Sequence, residues 1–74
     1  MDWYVEAVYP MTPDYKEHEK HLSVAAGYPA EGGGSDFSLR DLCWTHTNEK
    51  AAHAMANDLR AVDVPGLIVT VFSG

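Results

Sequence analysis

Residues 2–9, DWYVEAVY, are rich in aromatic and β-branched side chains and predict a strand. Trp3, Val5, Ala7 and Tyr9 share one face of it, Tyr4, Glu6 and Val8 the other, so both faces carry apolar groups. Pro10 has no N–H to donate and ends the ladder. The period then becomes helical. Thr12 stands where a cap belongs, Pro13 suits a first helical position, and Gly27 suits the left-handed residue that closes a helix, which predicts a helix over 13–26. Tyr15, Leu22 and Ala26 mark its inner stripe, with Ala25 beside them.

A second helical pattern runs from Thr47, the expected cap, to about Val62. Ala52, Met55, Leu59 and Val62 recur at spacings of three and four and define its buried side. Lys50, His53, Asn57 and Arg60 repeat on the opposite, wet side. After the turn signature Val64-Pro65-Gly66, the run LIVTVF at 67–72 is the clearest strand. Leu67, Val69 and Val71 alternate there with Ile68, Thr70 and Phe72.

Between the helices lies GYPAEGGGSDFSLRDLCWTHT. Phe37 and Leu39 are odd-numbered while Leu42 and Trp44 are even-numbered, so a regular strand sends them to two faces. The reading adopted is a strand over 36–46 that is apolar on both sides; a bulge near Arg40-Asp41 is the alternative. The glycines are read as a flexible turn between this strand and a short edge segment at 27–31, where Pro29 is tolerable. The element order is therefore β-α-β-β-α-β in a single α+β domain spanning 1–74. This predicts a two-layer sandwich of the ferredoxin-like pattern, an antiparallel sheet with both helices on one face.

That architecture leaves a sheet face bare. If even positions point away from the helices, Tyr4, Val8, Leu42, Trp44, Ile68 and Phe72 form an apolar, aromatic surface of the kind that binds partners. With the odd set outermost, Trp3, Cys43 and Val69 are displayed instead.

Charge narrows the choice of partner. The chain of 74 residues carries 11 acidic and 5 basic side chains, a net charge of −6. Phosphate backbones need clustered Lys and Arg, so direct nucleic-acid binding is not expected, whereas a basic protein is a sensible target. A single cysteine allows no internal disulfide and fits a reducing cytoplasm. No 18-residue apolar run suits a membrane helix, and the N-terminal MDWYVEAVYP carries an acid where a signal peptide has a basic flank.

Each candidate chemistry meets a geometric objection. GGGS is followed by no P-loop lysine and is not placed between strand and helix like a dinucleotide fingerprint. His18 and His21 have a spacing that can serve a metal, with Cys43, His46 or His53 as a third ligand. Cys43 and His46, three apart in a strand, face opposite sides, and His53 lies on the wet side of its helix. No nucleophile–base set or carboxylate pair is recognisable, and no metal or cofactor is assigned. The expected function is a small non-enzymatic regulator or inhibitor that binds another protein as a homodimer, with basic proteins, nucleic-acid-handling ones included, as sensible targets. In size, charge and layout it is similar to the small inhibitors that phages direct against host machinery, such as anti-CRISPR proteins, although no motif carries that similarity. The alternatives are a dimeric small-ligand binder or enzyme, with a pocket between sheet and helices lined by Tyr9, Tyr15, His18 and Trp44, and a metal binder using His18 and His21.

Overall fold

The computed structural model describes residues 1–36 and 38–74, so the expectation that Phe37 belongs to a strand lies outside the described residues. The elements are β1 (Trp3–Pro10), α1 (Tyr15–Ala26), β2 (Gly32–Ser35), β3 (Leu39–His46), α2 (Glu49–Arg60) and β4 (Ile68–Ser73). Four antiparallel strands form one sheet in the order β2-β3-β1-β4, with both helices on one face, a ferredoxin-like α+β arrangement.

Helix boundaries follow local chemistry. Asn48, not Thr47, caps α2: its side-chain Oδ1 accepts from the Ala51 N–H at 3.0 Å. α1 begins after Asp14, two residues beyond the expected start at Pro13, because Thr12 closes a turn onto the Tyr15 N–H. Gly27 ends α1 in the left-handed region at φ 93° and donates to the Ser23 and Val24 carbonyls.

Two expectations for the middle segment need correction. The glycine run is not a turn; Gly32–Ser35 is itself the edge strand, while 27–31 is connecting chain. Glycine has weak β-propensity, but here it answers a steric demand. A Cβ on Gly33 would lie 2.7 Å from the Asp41 carbonyl oxygen. β3 contains no bulge: its register with β1 runs unbroken from Trp3↔His46 to Pro10↔Leu39.

That register fixes the core. Odd positions of β1 pair with even positions of β3, so Val5 meets Trp44 and Ala7 meets Leu42. β4 keeps the parity of β1, with Val69 opposite Ala7. The helix-side core joins Val5, Ala7, Tyr9, Leu42, Trp44 and Val69 to Leu22 of α1 and to Ala52, Met55, Ala56 and Leu59 of α2. Trp44, Tyr9, Leu22 and Leu42 are among its largest fully buried side chains, and burying one such apolar group contributes about 1.5–3 kcal/mol.

The two helices sit differently on the sheet. α2 presents the small Ala52 and Ala56 and lies against β1, β4 and β3; α1 packs mainly on α2. Between α1 and the sheet stand the bulky Tyr9 and Trp44, which accounts for the open groove along the outer side of α1. Tyr9 donates its phenol hydrogen to the Tyr15 carbonyl at 3.2 Å, and Trp44 donates Nε1–H to the Tyr28 carbonyl at 3.1 Å. These bonds fix both ends of α1 while satisfying polar groups that burial would otherwise strand.

Candidate functional site

The face of the sheet away from the helices carries the even positions of β1 and β4 and the odd positions of β3. Tyr4, Val8, Ile68 and Phe72 therefore lie on it, as the alternation predicts. Leu42 and Trp44 do not. Both are buried against the helices, because the β1–β3 register inverts parity and a one-residue offset moves every side chain of a strand to the other face. Cys43, Asp41 and Thr45 stand there in their place.

The open face has two chemically distinct strips. Along β1 and β4, the Tyr4 and Phe72 rings stack at 5.3 Å, and Val8 lies across from Ile68. Ile68 is 63% exposed and Phe72 44% exposed, high values for apolar side chains of strand residues. Towards β3 the surface is acidic. Glu6 pairs across the ladder with Cys43, and Asp41 is close by. Burial first, and then the carboxylates of Glu6, Asp41 and Glu31, push the Cys43 thiol above its ordinary value. That keeps Cys43 in the poorly nucleophilic thiol form. None of the chain's lysines or arginines belongs to this face. Lys16 and Lys20 are on α1, Lys50 and Arg60 on α2, and Arg40 on the helix side of β3.

His46 turns to the helix side, where its Nε2 lies 3.3 Å from the Met55 sulfur, so Cys43 and His46 occupy opposite faces and form no nucleophile–base pair. Among the described residues, no three His, Cys, Asp or Glu side chains converge as a metal centre. His18 packs edge-on against Tyr9 at 5.9 Å, and its Nδ1 is buried without a hydrogen-bond partner among those residues. The pocket expected from Tyr9, Tyr15, His18 and Trp44 does not form, because Tyr9 and Trp44 are wholly buried in the core.

A groove does open nearby, between α1 and the β2–β3 end of the sheet, with a volume of about 660 Å³. Of the expected set, it retains only Tyr15. Its floor is set by Arg40, which donates from Nε and Nη2 to Glu19 Oε1 at 3.2 and 3.0 Å and from Nη1 to the Gly34 carbonyl at 3.0 Å. Asp41, the next residue, accepts from the Gly34 N–H at 3.0 Å. Neighbouring side chains of β3, on opposite faces, thus hold the N–H and the carbonyl of a single glycine residue. Sequence reasoning missed this groove. Its signal was the clustering of cationic positions at Lys16, Lys20 and Arg40, which only the topology brings together.

Comparison with protein-family models, with curated proteins and with solved structures finds no match to this chain. Among the described residues, no helix is long and apolar enough to cross a membrane.

Proposed function

We propose that this chain is a non-enzymatic protein-binding module whose open sheet face docks a basic partner and thereby regulates or inhibits it. The observation that carries the reading is the uncovered strip of Tyr4, Val8, Ile68 and Phe72 lying beside Glu6, Asp41 and Glu31 on a face without a Lys or Arg. Aromatic and aliphatic groups supply the desolvated centre of an interface, and a single-signed acidic border supplies orientation and speed of encounter. A partner presenting an apolar ridge flanked by Lys or Arg satisfies both strips. A second copy laid on the same face would bring carboxylates to carboxylates, so charge favours a foreign basic partner over the homodimer expected from sequence. A nucleic-acid-handling protein, with a cationic groove for phosphates, has the required chemistry.

The test is capture by the immobilised chain from its native host, with Ile68→Asp and Phe72→Asp as controls, together with molar mass in solution. Capture of a basic protein, lost in the controls and weakened by salt, supports the reading. A monomer that captures nothing overturns it. A dimer broken by the same substitutions reassigns the face to self-association.

A further inference from the structure

Three of the chain's five cationic side chains, Lys16, Lys20 and Arg40, line the α1 groove of a protein whose net charge is −6. They come from two elements far apart in sequence. Lys16 and Lys20 are one helical turn apart, a like-charge spacing that disfavours the helix unless an anion sits between or beside them. Among the described residues, neither has a carboxylate at ion-pair distance; the pairs present are Arg40–Glu19 and His53–Glu49. Glu19 is the one acidic lining residue, and it is engaged by Arg40. The lining therefore carries three positive charges against one negative, a surplus of two. Arg40 commits three of its N–H groups to Glu19 and Gly34, and a guanidinium has about five, so donors remain. Tyr15, with Lys16 Nζ 5.9 Å from its ring centre, and Pro29 add apolar surface. The groove volume of about 660 Å³ suits a small molecule.

The geometry points to a binding site for a small phosphate monoester with an apolar substituent. A phosphate monoester carries about −1.5 to −2 charge at neutral pH, which matches the surplus of the lining. Lys16 and Lys20 take the phosphoryl oxygens as point charges and Arg40 supplies its spare N–H donors, while Tyr15 and Pro29 receive the substituent. Glu19 holds the guanidinium in place and bars ligands that would push a second anionic group to that end. The site is separate from the open sheet face, since none of its lining residues lies on it, so it stands whether or not that face docks a partner.

The experiment is a titration of isotopically labelled full chain with phenyl phosphate, inorganic phosphate and phenyl sulfate, read from amide chemical shifts. Saturable shifts confined to α1, Ser35 and Arg40 are expected with phenyl phosphate, with weaker binding of inorganic phosphate, which lacks the ring, and of phenyl sulfate, which has a single charge. The exposed double substitution Lys16→Gln/Lys20→Gln keeps helix propensity and is expected to weaken phenyl phosphate by about tenfold or more, since the loss of even one charge-assisted bond is worth roughly a decade of affinity. Ile68→Asp is expected to leave it unchanged, which separates this site from the sheet face. Absence of groove-localised shifts up to ~10 mM, a range reaching below weak millimolar affinity, overturns the proposal. So does equal binding by the double variant, or equal binding of the sulfate.

Discussion

Val5 on β1 lies directly opposite Trp44 on β3, and both side chains are wholly buried beneath the helices. Trp44 also donates its indole N–H to the Tyr28 carbonyl, tying the chain after α1 to the core. Trp44→Ala removes the largest buried side chain and is expected to cost about 3–5 kcal/mol, comparable with the whole stability of so small a domain. Trp44→Phe retains much of the packing but leaves the Tyr28 carbonyl short of its donor, so an intermediate loss is expected. Urea denaturation checks the order: wild type, then Trp44→Phe, with Trp44→Ala largely unfolded. A Trp44→Ala variant as stable as wild type would contradict this account of the core.

Gly32 and Gly33 make opposite demands although they are adjacent in one strand. A Cβ at Gly33 would meet the Asp41 carbonyl oxygen at 2.7 Å, whereas at Gly32 nothing lies within 4 Å. Gly33→Ala is therefore expected to lower stability by about 1–3 kcal/mol as β2 shifts away from β3. Gly32→Ala is expected to be neutral or to stabilise by about 0.4–1 kcal/mol, because it restricts the unfolded chain at a compatible backbone conformation. Thermal melts of the two variants decide between this local clash and a general need for glycine, which would lower both equally.

Much of the architecture is legible in the sequence, and the misses share a cause. The helices announce themselves through Ala52, Met55 and Leu59 at helical spacing and through Gly27 at a helix end, all signals local to the chain. The alternations in β1, β3 and β4 are local as well. The phase between β1 and β3 is not. A helix and an edge strand separate them, so no tight hairpin ties their registers, and even positions of β1 end up opposite odd positions of β3. For that reason alone Leu42 and Trp44 face the helices and not the open side that simple alternation predicts. Gly32–Ser35 carries no β signal of its own, and its strand character comes from β3, where Asp41 and Arg40 bind the Gly34 N–H and carbonyl. The groove was hidden because Lys16 and Arg40 are far apart in sequence and are gathered only by the fold.

Alkaline pH is expected to weaken the fold through Cys43 and Tyr9, joined by the more exposed Tyr28. Cys43 and Tyr9 both titrate above their ordinary values of 9.0 and 10.0. Burial is the leading cause in each, supplemented by Glu6, Asp41 and Glu31 at Cys43 and by Glu19 at Tyr9, where Arg40 opposes it. A raised acid holds its proton more tightly in the folded chain than in the unfolded one. Its contribution is complete below the unfolded value and is lost as pH rises through the folded value. Urea midpoints should therefore stay level from about pH 7 to 8 and fall above about pH 9, with Cys43→Ala removing the first part of the fall. A midpoint that rises over that range would contradict the assignment.

Ile68 and Val69 are consecutive in β4, yet the sheet divides them: Ile68 is 63% exposed on the open face, and Val69 is 7% exposed in the core opposite Ala7. A charge at Val69 must be buried without a partner, so Val69→Asp is expected to unfold the chain. The same charge at Ile68 stays in water and is expected to change stability by less than about 1 kcal/mol. Far-UV circular dichroism with urea titration measures both. This contrast makes Ile68→Asp a usable probe, because a lost interaction in a variant that folds normally reports on the face and not on the fold. If Ile68→Asp unfolds as Val69→Asp does, Ile68 is supporting the core, and the strip it shares with Tyr4, Val8 and Phe72 is no longer a surface held in reserve for a partner.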